Sequence, residues 1–356
     1  MDTWATSSMT PQIAGRMLQD PHLYRRVFPF ALRPQAHEII RTWAFDTIVK
    51  SQYNFDAVPW RHILISGWGL APHGTGKISK SRGGGPMAPM EMVQRYSSDA
   101  ARYWAASTGP GKDATISEDK IAAGAKLATK LWNVARLAER FFSDYEAPSS
   151  PPAGMTVADR WILSQLQGLV ESATDAFEAY DYVSAKNDVE IFFWTVLTDN
   201  YLEMAKGRLY TTDHAGNAAA RFTLHTVLRT VLELFAPVLP FVTDEIYRAL
   251  FTADARSIHR AEWPSVRRQL LDAEADALGS VLVAIATAVR RYKSEGGLSL
   301  GAGLPRLQIA GENGMPLRDA SEDIRSVTRA EEVQFVSRLD TDLQVLIDSS
   351  SLQVGV

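Results

Sequence analysis

The sequence predicts a mainly α chain with α/β parts, and three observations carry that expectation. A short apolar run at 62–68 ends in glycines and feeds a lysine- and glycine-rich loop. Long amphipathic stretches fill the region from 155 to 265. Beyond 295 a glycine-rich turn leads to a further short apolar run at Leu307-Gln308-Ile309. The 356 residues are 46% hydrophobic and 10% aromatic, enough to bury sizeable cores in about two or three domains.

The first element to justify is His62-Ile63-Leu64-Ile65-Ser66-Gly67-Trp68-Gly69-Leu70. A compact apolar run bounded by glycine suits a buried strand better than a helix. The loop after it holds Lys77-Ile78-Ser79-Lys80-Ser81 among Gly74, Gly76, Gly83, Gly84 and Gly85. Glycines let a backbone approach an anion closely, and two lysines three apart supply mobile positive charge. The pentapeptide alone fits a phosphate-handling loop or a solvated basic loop. Its place at a strand end favours the first, because doubly wound sheets bind nucleotides beyond the carboxyl ends of their strands. Pro89-Met90-Glu91 then opens a helix, with proline in its first turn and a carboxylate where the helix dipole favours one.

Ser117 and Glu118 cap an apolar periodicity that runs to Phe142. Ala147-Pro148-Ser149-Ser150-Pro151-Pro152-Ala153-Gly154 reads as a linker. Ala158 to Tyr180 and Val183 to Tyr210 carry apolar residues at three- and four-residue spacing, and a shorter pair follows at 217–236 and 240–251. Neighbouring amphipathic helices on short connections make a bundle, with Trp161, Phe192, Phe193 and Trp194 expected in its core. From 270 the pattern gives a helix to about Arg291, a turn at Gly296-Gly297 and Gly301 to Gly303, and a strand at 307–309, a small C-terminal α/β appendage.

The ordered motifs resemble class I aminoacyl-tRNA synthetases, and among them the valine-specific members of the valine, isoleucine and leucine group. Lys77 to Ser81 is similar to the KMSKS signature, with isoleucine for methionine. Asp2-Thr3-Trp4 with Ser7-Ser8 resembles the DTW-x-SS segment, and Arg33 to Trp43 resembles the helix lining the amino-acid pocket. Asp99-Ala100-Ala101-Arg102, Lys130-Leu131-Trp132-Asn133 and Tyr201-Leu202-Glu203-Met204 fall in the same order as in that family.

The resemblance implies the second half of a nucleotide-binding catalytic domain at 1–85, with a pocket-lining helix around 34–50, and a stem-contact region at 86–147. It further implies a helical anticodon-binding domain at 155–265, followed by the α/β segment at 270–356. It implies ATP-dependent activation of valine and transfer to tRNA(Val), with Lys80 and then Lys77 stabilising the departing pyrophosphate. Ser79, Ser81 and Gly67 would also meet ATP, magnesium would arrive with ATP, and no prosthetic group or dedicated metal ligand is expected. Trp4, Ile39 and Trp43 would form the valine pocket, with Ile39 and Trp43 one helical turn apart. His37 beside it is expected in a hydrogen-bonding structural role.

Charge is informative only locally. The chain carries −4 overall, but Lys77 to Arg140 holds eleven Lys/Arg against six Asp/Glu. Such a segment, with Lys130 and Arg136 as candidate contacts, suits a phosphate backbone or a solvated helical face. Zero cysteines remove disulfides and thiol catalysis. No apolar run long enough for a membrane helix and no signal-peptide pattern is present, so the cytoplasm is expected.

The resemblance also has gaps. Arg82-Gly83-Gly84 stands where many members have lysine, glycine and asparagine, and no His-x-Gly-His occurs anywhere in the sequence. The editing insertion is missing too. The chain therefore resembles a C-terminal half that a separate N-terminal half would complete, or a truncated non-catalytic tRNA-binding paralogue. In either case the strand at 62–68 is expected to expose an edge and an apolar face.

Overall fold

A computed structural model describes residues 3–70, 89–252, 254, 256–311, 316–349 and 351–356. The chain forms two compact units, one of Met1–Gly124 with Tyr180–Val183 and one of Ala125–Ala179 with Ser184–Val356.

In the first unit, α1 (Thr3–Ser7), α2 (Thr10–Ala14) and α3 (Pro21–Val27) precede β1 (Phe30–Ala36). Asp20 caps α3 by accepting from the Leu23 N–H at 2.9 Å, and Pro21 occupies the first turn, where no N–H is needed. A 3-10 turn at His37–Ile39 and a π turn at Ile40–Ala44 lead into α4 (Phe45–Phe55), which ends at Asp56 in the left-handed conformation, φ 49°. β2 (Trp60–Ser66) then pairs parallel with β1, from Phe30 against Trp60 to Ala36 against Ser66.

The expected helix at 34–50 is thus corrected. Its first residues are strand and its regular part begins only at Phe45. Proline at 34 disfavours helical conformation at Arg33 and leaves the segment extended. Trp43, Ala44 and Trp60 form the core of this region, with Phe30 and Ile39 against it. Both strands also turn apolar side chains outward, Leu32 at 36% and Ile63 at 40% exposure.

β3 (Gly69–Leu70) pairs parallel with β4 (Ala114–Thr115). Between them come α5 (Pro89–Tyr96) and α6 (Ser98–Ala105), the latter capped by Ser97. α7 (Glu118–Phe142) starts as the sequence indicates, its Ser117 carbonyl accepting from the Ile121 N–H and its Ser117 Oγ from the Lys120 N–H. At Gly124 a Cβ would stand 2.8 Å from the Tyr103 side chain, so glycine permits the close packing of α7 on α6.

The second unit is helical over most of its length. α8 (Val157–Glu178) opens on a capping box between Thr156 and Asp159. α9 (Tyr182–Ile191), a ten-residue π-helical stretch at Phe192–Tyr201 and α10 (Leu202–Tyr210) run on as one rod. α11 (Asn217–Phe235), α12 (Pro240–Leu250) and α13 (Ala273–Glu295) follow. Trp161, Phe192 and Phe193 are buried as expected, while Trp194 is half-buried. Residues 147–154 form neither helix nor strand.

The C-terminal segment holds more sheet than its sequence announces. β5 (Leu304–Ala310), α14 (Ser321–Thr328), β6 (Ala330–Val336), β7 (Val345–Asp348) and β8 (Gln353–Gly355) build a four-stranded sheet in the order β6-β5-β8-β7. It belongs to the same compact unit as the helices, with α14 against α10 and α13 against α8.

An ion cluster wholly withdrawn from water joins these parts. Arg208 on α10 donates through Nη1 and Nη2 to Asp159 at 2.8 and 3.0 Å, and through Nε to Asp323 at 2.7 Å. All three side chains are 0% exposed. The Tyr201 hydroxyl donates to Asp159 at 2.7 Å and the Thr156 hydroxyl to Asp323 at 2.6 Å. Burial opposes the charge on Arg208, but the two carboxylates outweigh it and raise its pKa. Burial pushes Asp323 up to about 6; Arg208 opposes that rise and Asp159 adds to it.

Removing Arg208 strands two buried carboxylates, so Arg208→Ala is expected to destabilise the second unit by about 3–5 kcal/mol in urea unfolding. The pH dependence has a less familiar sign. Between about pH 4 and 6 the folded chain keeps a proton on Asp323 that the unfolded chain has released, so this group's contribution weakens as pH rises through that window. Asp323→Asn is expected to flatten that part of the stability profile, measured by urea unfolding across the same range.

Candidate functional site

Parallel pairing puts the carboxyl ends of β1 and β2 side by side, at Ala36 and Ser66. This is the end at which open α/β sheets bind ligands. His37 follows β1 directly. Its Nδ1 lies 3.3 Å from the Ser66 carbonyl oxygen, which only accepts, so Nδ1 is the donor in this contact. The imidazole also lies 4.7 Å from the Trp68 ring. His37 thus ties the two strand ends together, the hydrogen-bonded role its sequence position suggests.

Gly67 sits where the chain leaves β2. A Cβ there would stand 2.5 Å from Asp113 Oδ1 and from the Lys112 carbonyl, so only glycine lets the two backbones come this close. The contact is held on both sides. The Trp68 N–H donates to Asp113 Oδ1 at 2.7 Å, the Gly111 N–H to the Ile65 carbonyl at 2.8 Å, and the Ala114 N–H to the Trp68 carbonyl at 2.8 Å. From Leu70 the chain enters the segment carrying Lys77, Ser79, Lys80 and Ser81, which lie outside the described residues.

Of the three residues expected to line an apolar pocket, two come together. Trp43 is 5% exposed and stacks on Trp60 with centroids 5.5 Å apart and planes at 9°, and Ile39 packs against the same cluster. Trp4, on α1, is 49% exposed. The spacing of Ile39 and Trp43 is realised through the 3-10 and π turns rather than one α-helical face. Arg33 completes the stack, its Cζ 4.1 Å from the Trp43 centroid, and the Trp43 indole N–H donates to the Ser7 carbonyl at 3.0 Å. Burial lowers the Arg33 pKa. Sequence reasoning missed Trp60 and named Arg33 only as the head of the pocket-lining segment. The aromatic residue heading the β2 run was the available signal.

Lys130 and Arg136 lie on the part of α7 in the second unit. The half-buried Lys130 places Nζ 5.3 Å from the Trp194 centroid, while Arg136 is exposed. Neither forms an ion pair among the described residues. Six residues apart on an α-helix, they point about 120° away from each other, so they do not share one face. Among the described residues no group of three His, Cys, Asp or Glu is placed to hold a metal ion. No described helix is long and apolar enough to cross a membrane.

Comparison with known proteins matches both units. Residues 1–117 match the family described as tRNA synthetases class I (I, L, M and V), and residues 159–308 the anticodon-binding domain of tRNA ligase. The chain is 40% identical over 353 residues to the valine–tRNA ligase of Thermobifida fusca, covering 98% of this chain and 39% of that protein. It is 39% identical to that of Anaplasma marginale, over 98% of this chain and 42% of the relative, and 37% identical to that of Rickettsia conorii, over 96% and 43%. The chain spans about two fifths of the length of these relatives.

Among solved structures, the LeuRS of Agrobacterium radiobacter K84, in a ternary complex with tRNA and LeuAMS, superposes with a TM-score of 0.63 at 19% identity, over 77% of this chain and 34% of that one. Mycobacterium tuberculosis methionyl-tRNA synthetase in its free state gives 0.52 at 19% identity, over 70% and 49%. At that identity the likeness is one of fold.

The crowding at the strand end has a measurable consequence. Gly67→Ala is expected to destabilise the first unit by about 1–3 kcal/mol, because the Lys112 carbonyl it would displace is backbone and cannot swing away. Denaturant unfolding followed by tryptophan fluorescence tests this, and an unchanged midpoint would show that the contact is loose.

Proposed function

We propose, on the premise that the chain belongs to the class I tRNA synthetases (I, L, M and V), that it is the C-terminal portion of a valine–tRNA ligase. One observation carries the reading: the chain aligns with curated valine–tRNA ligases along 98% of its own length. On this reading the chain takes part in ATP-dependent activation of valine and transfer of the valyl group to tRNA(Val). Residues 1–85 form the second half of the catalytic domain, 86–147 the stem-contact region, 155–265 the anticodon-binding domain and 270–356 the C-terminal segment. The cytoplasm is the corresponding location.

A valine carboxylate oxygen attacks the α-phosphorus of ATP in line, and the bond to the bridging oxygen breaks as pyrophosphate leaves. No covalent enzyme intermediate is needed. The chain's task is to position the reactants and to neutralise charge growing on the leaving group. Lys80 takes that role first and Lys77 second, both set among glycines in the sequence. Ser79 and Ser81 donate hydrogen bonds, and the backbone at Gly67 borders ATP. Magnesium enters with ATP and shares the phosphate charge.

Ile39 and Trp43, with Trp4 brought in from α1, wall the apolar pocket for the valine side chain. A pocket of this kind separates side chains differing by one methylene by only about 1–3 kcal/mol and rejects threonine poorly. Lys130 and Arg136 offer phosphate contacts to tRNA. Completion by a separate N-terminal half is supported by the outward-facing Leu32 and Ile63, since parallel sheets are ordinarily covered on both faces.

A second reading, a non-catalytic tRNA-binding paralogue, is favoured by one fact, the lack of any His-x-Gly-His in the sequence. Valine-dependent ATP–pyrophosphate exchange separates the two, run with the chain alone and with an added N-terminal half. Exchange that falls at least a hundredfold in Lys80→Ala, with tRNA binding retained, is the expected result. Retained tRNA binding without exchange under either condition would favour the paralogue.

A further inference from the structure

The carboxyl end of β2 is tied down by a segment far along the chain, and the tie runs through one side chain. From Ile65 to Leu70 the backbone is bonded to residues 111–116. The Gly111 N–H donates to the Ile65 carbonyl at 2.8 Å, the Ala114 N–H to the Trp68 carbonyl at 2.8 Å and the Ile116 N–H to the Leu70 carbonyl at 3.2 Å. The Trp68 N–H needs an acceptor in return. Asp113 Oδ1 supplies it at 2.7 Å, just ahead of the paired residues Gly69 with Ala114 and Leu70 with Thr115.

Asp113 has no other engagement. It is an exposed residue, and the bond from Trp68 is the only hydrogen bond or ion pair of its side chain among the described residues. Its position is nevertheless closely set. Gly111 takes the left-handed conformation, φ 72°, at the turn before it, and Gly67 admits Asp113 Oδ1 to within 2.5 Å of where a Cβ would stand. The other end of the segment is anchored by the Tyr182 hydroxyl, which donates to the Thr108 carbonyl at 2.7 Å.

The tie reaches both strand ends. Trp68, with its N–H and carbonyl both held, places its ring 4.7 Å from the His37 imidazole, and His37 Nδ1 donates to the Ser66 carbonyl. Like charge makes a carboxylate a poor contact for the phosphates of ATP. Bonded to a backbone N–H, it serves instead by holding the main chain in place.

Taking the chain as part of a valine–tRNA ligase, the reading on which this rests, we propose that Asp113 is a positioning residue for ATP. It sets the backbone at Gly67 and Trp68, where the chain leaves β2, for the nucleotide to lie against. Without the acceptor, the Trp68 N–H turns to water and carries the strand end with it. What the role requires is an oxygen in one place, and the charge is incidental.

Valine-dependent ATP–pyrophosphate exchange by the full chain with an added N-terminal half, run below the unfolding temperature of every variant, tests this. Asp113→Ala is expected to raise KM for ATP about tenfold and to leave KM for valine, whose pocket is built from Ile39 and Trp43, unchanged. Asp113→Asn, which keeps an acceptor oxygen in the same place, is expected to restore KM for ATP. Asp113→Glu, which keeps the charge but carries its oxygens one methylene further, is not. Misfolding alone lowers the active fraction and so kcat, with both Michaelis constants intact. Hydrogen exchange at the Trp68 amide gives a reading independent of activity, and is expected to be about tenfold faster in Asp113→Ala than in the wild type and Asp113→Asn. An unchanged KM for ATP in Asp113→Ala, an equal rise for both substrates, no rescue by Asp113→Asn, or a Trp68 amide that exchanges alike in all three overturns the assignment of Asp113 alone. No pyrophosphate exchange by the wild-type chain under these conditions overturns the ligase reading, and with it the role of Asp113.

Discussion

Much of the helical unit depends on where Arg208 can find its partners. A guanidinium removed from water must be met on every side, and here the acceptors come from three separate elements: Asp159 at the start of α8, Asp323 on α14 and the carbonyl of Gly216 ahead of α11. Asp159 serves twice, since its Oδ2 also accepts from the Thr156 N–H that closes the capping box. The start of one helix and the position of another are therefore a single problem with one solution. Lys293 repeats the principle on α13. Its buried ammonium donates to the carbonyls of Leu300 and Thr328 at 3.2 and 2.9 Å, and also to that of Ala302, drawing the turn after α13 and the end of α14 together.

The first unit rests on different forces. Its order comes from flat surfaces and close backbone approach: Arg33 on Trp43, Trp43 on Trp60, and the strand end folded against the chain at 111–114 through Gly67, where a side chain does not fit. These contacts organise the carboxyl ends of two parallel strands while leaving apolar side chains of the same strands turned to solvent.

How much of this was legible depended on whether the cause was local. α5, α7, α8 and α12 are readable because proline, serine and the threonine–aspartate box mark their starts and apolar spacing marks their faces. β2 is readable from Ile63-Leu64-Ile65, although it spans Trp60–Ser66 rather than 62–68 and, against the expectation of a buried strand, only Trp60 in it is buried. β1 is not, because Phe30-Ala31-Leu32-Arg33-Pro34-Gln35-Ala36 lacks such a run and is held extended by pairing with a strand thirty residues on. β6 hides for a similar reason, since Ala330-Glu331-Glu332-Val333-Gln334-Phe335-Val336 acquires its meaning only against β5. Arg208 gives no local sign at all, its carboxylates lying 49 and 115 residues away. At the candidate site the strand end and the stacked Trp43 were legible, whereas Trp60 and Arg33 matter only once β1 and β2 lie side by side.

The π-helical stretch at Phe192–Tyr201 sets a phase. There the Leu202 N–H reaches back five residues to the Leu197 carbonyl, and the Asn200 side-chain amide donates to the Thr195 carbonyl. Each residue in such turns rotates the chain by less than the roughly 100° of an α-helix. The directions in which side chains leave the rod are accordingly out of step before and after it. Loss of a single residue from this stretch would change the direction in which Arg208 leaves the rod and turn it away from both carboxylates. The number of residues between Ile191 and Leu202, more than the identity of any one of them, keeps the two ends of the rod in register with their neighbours.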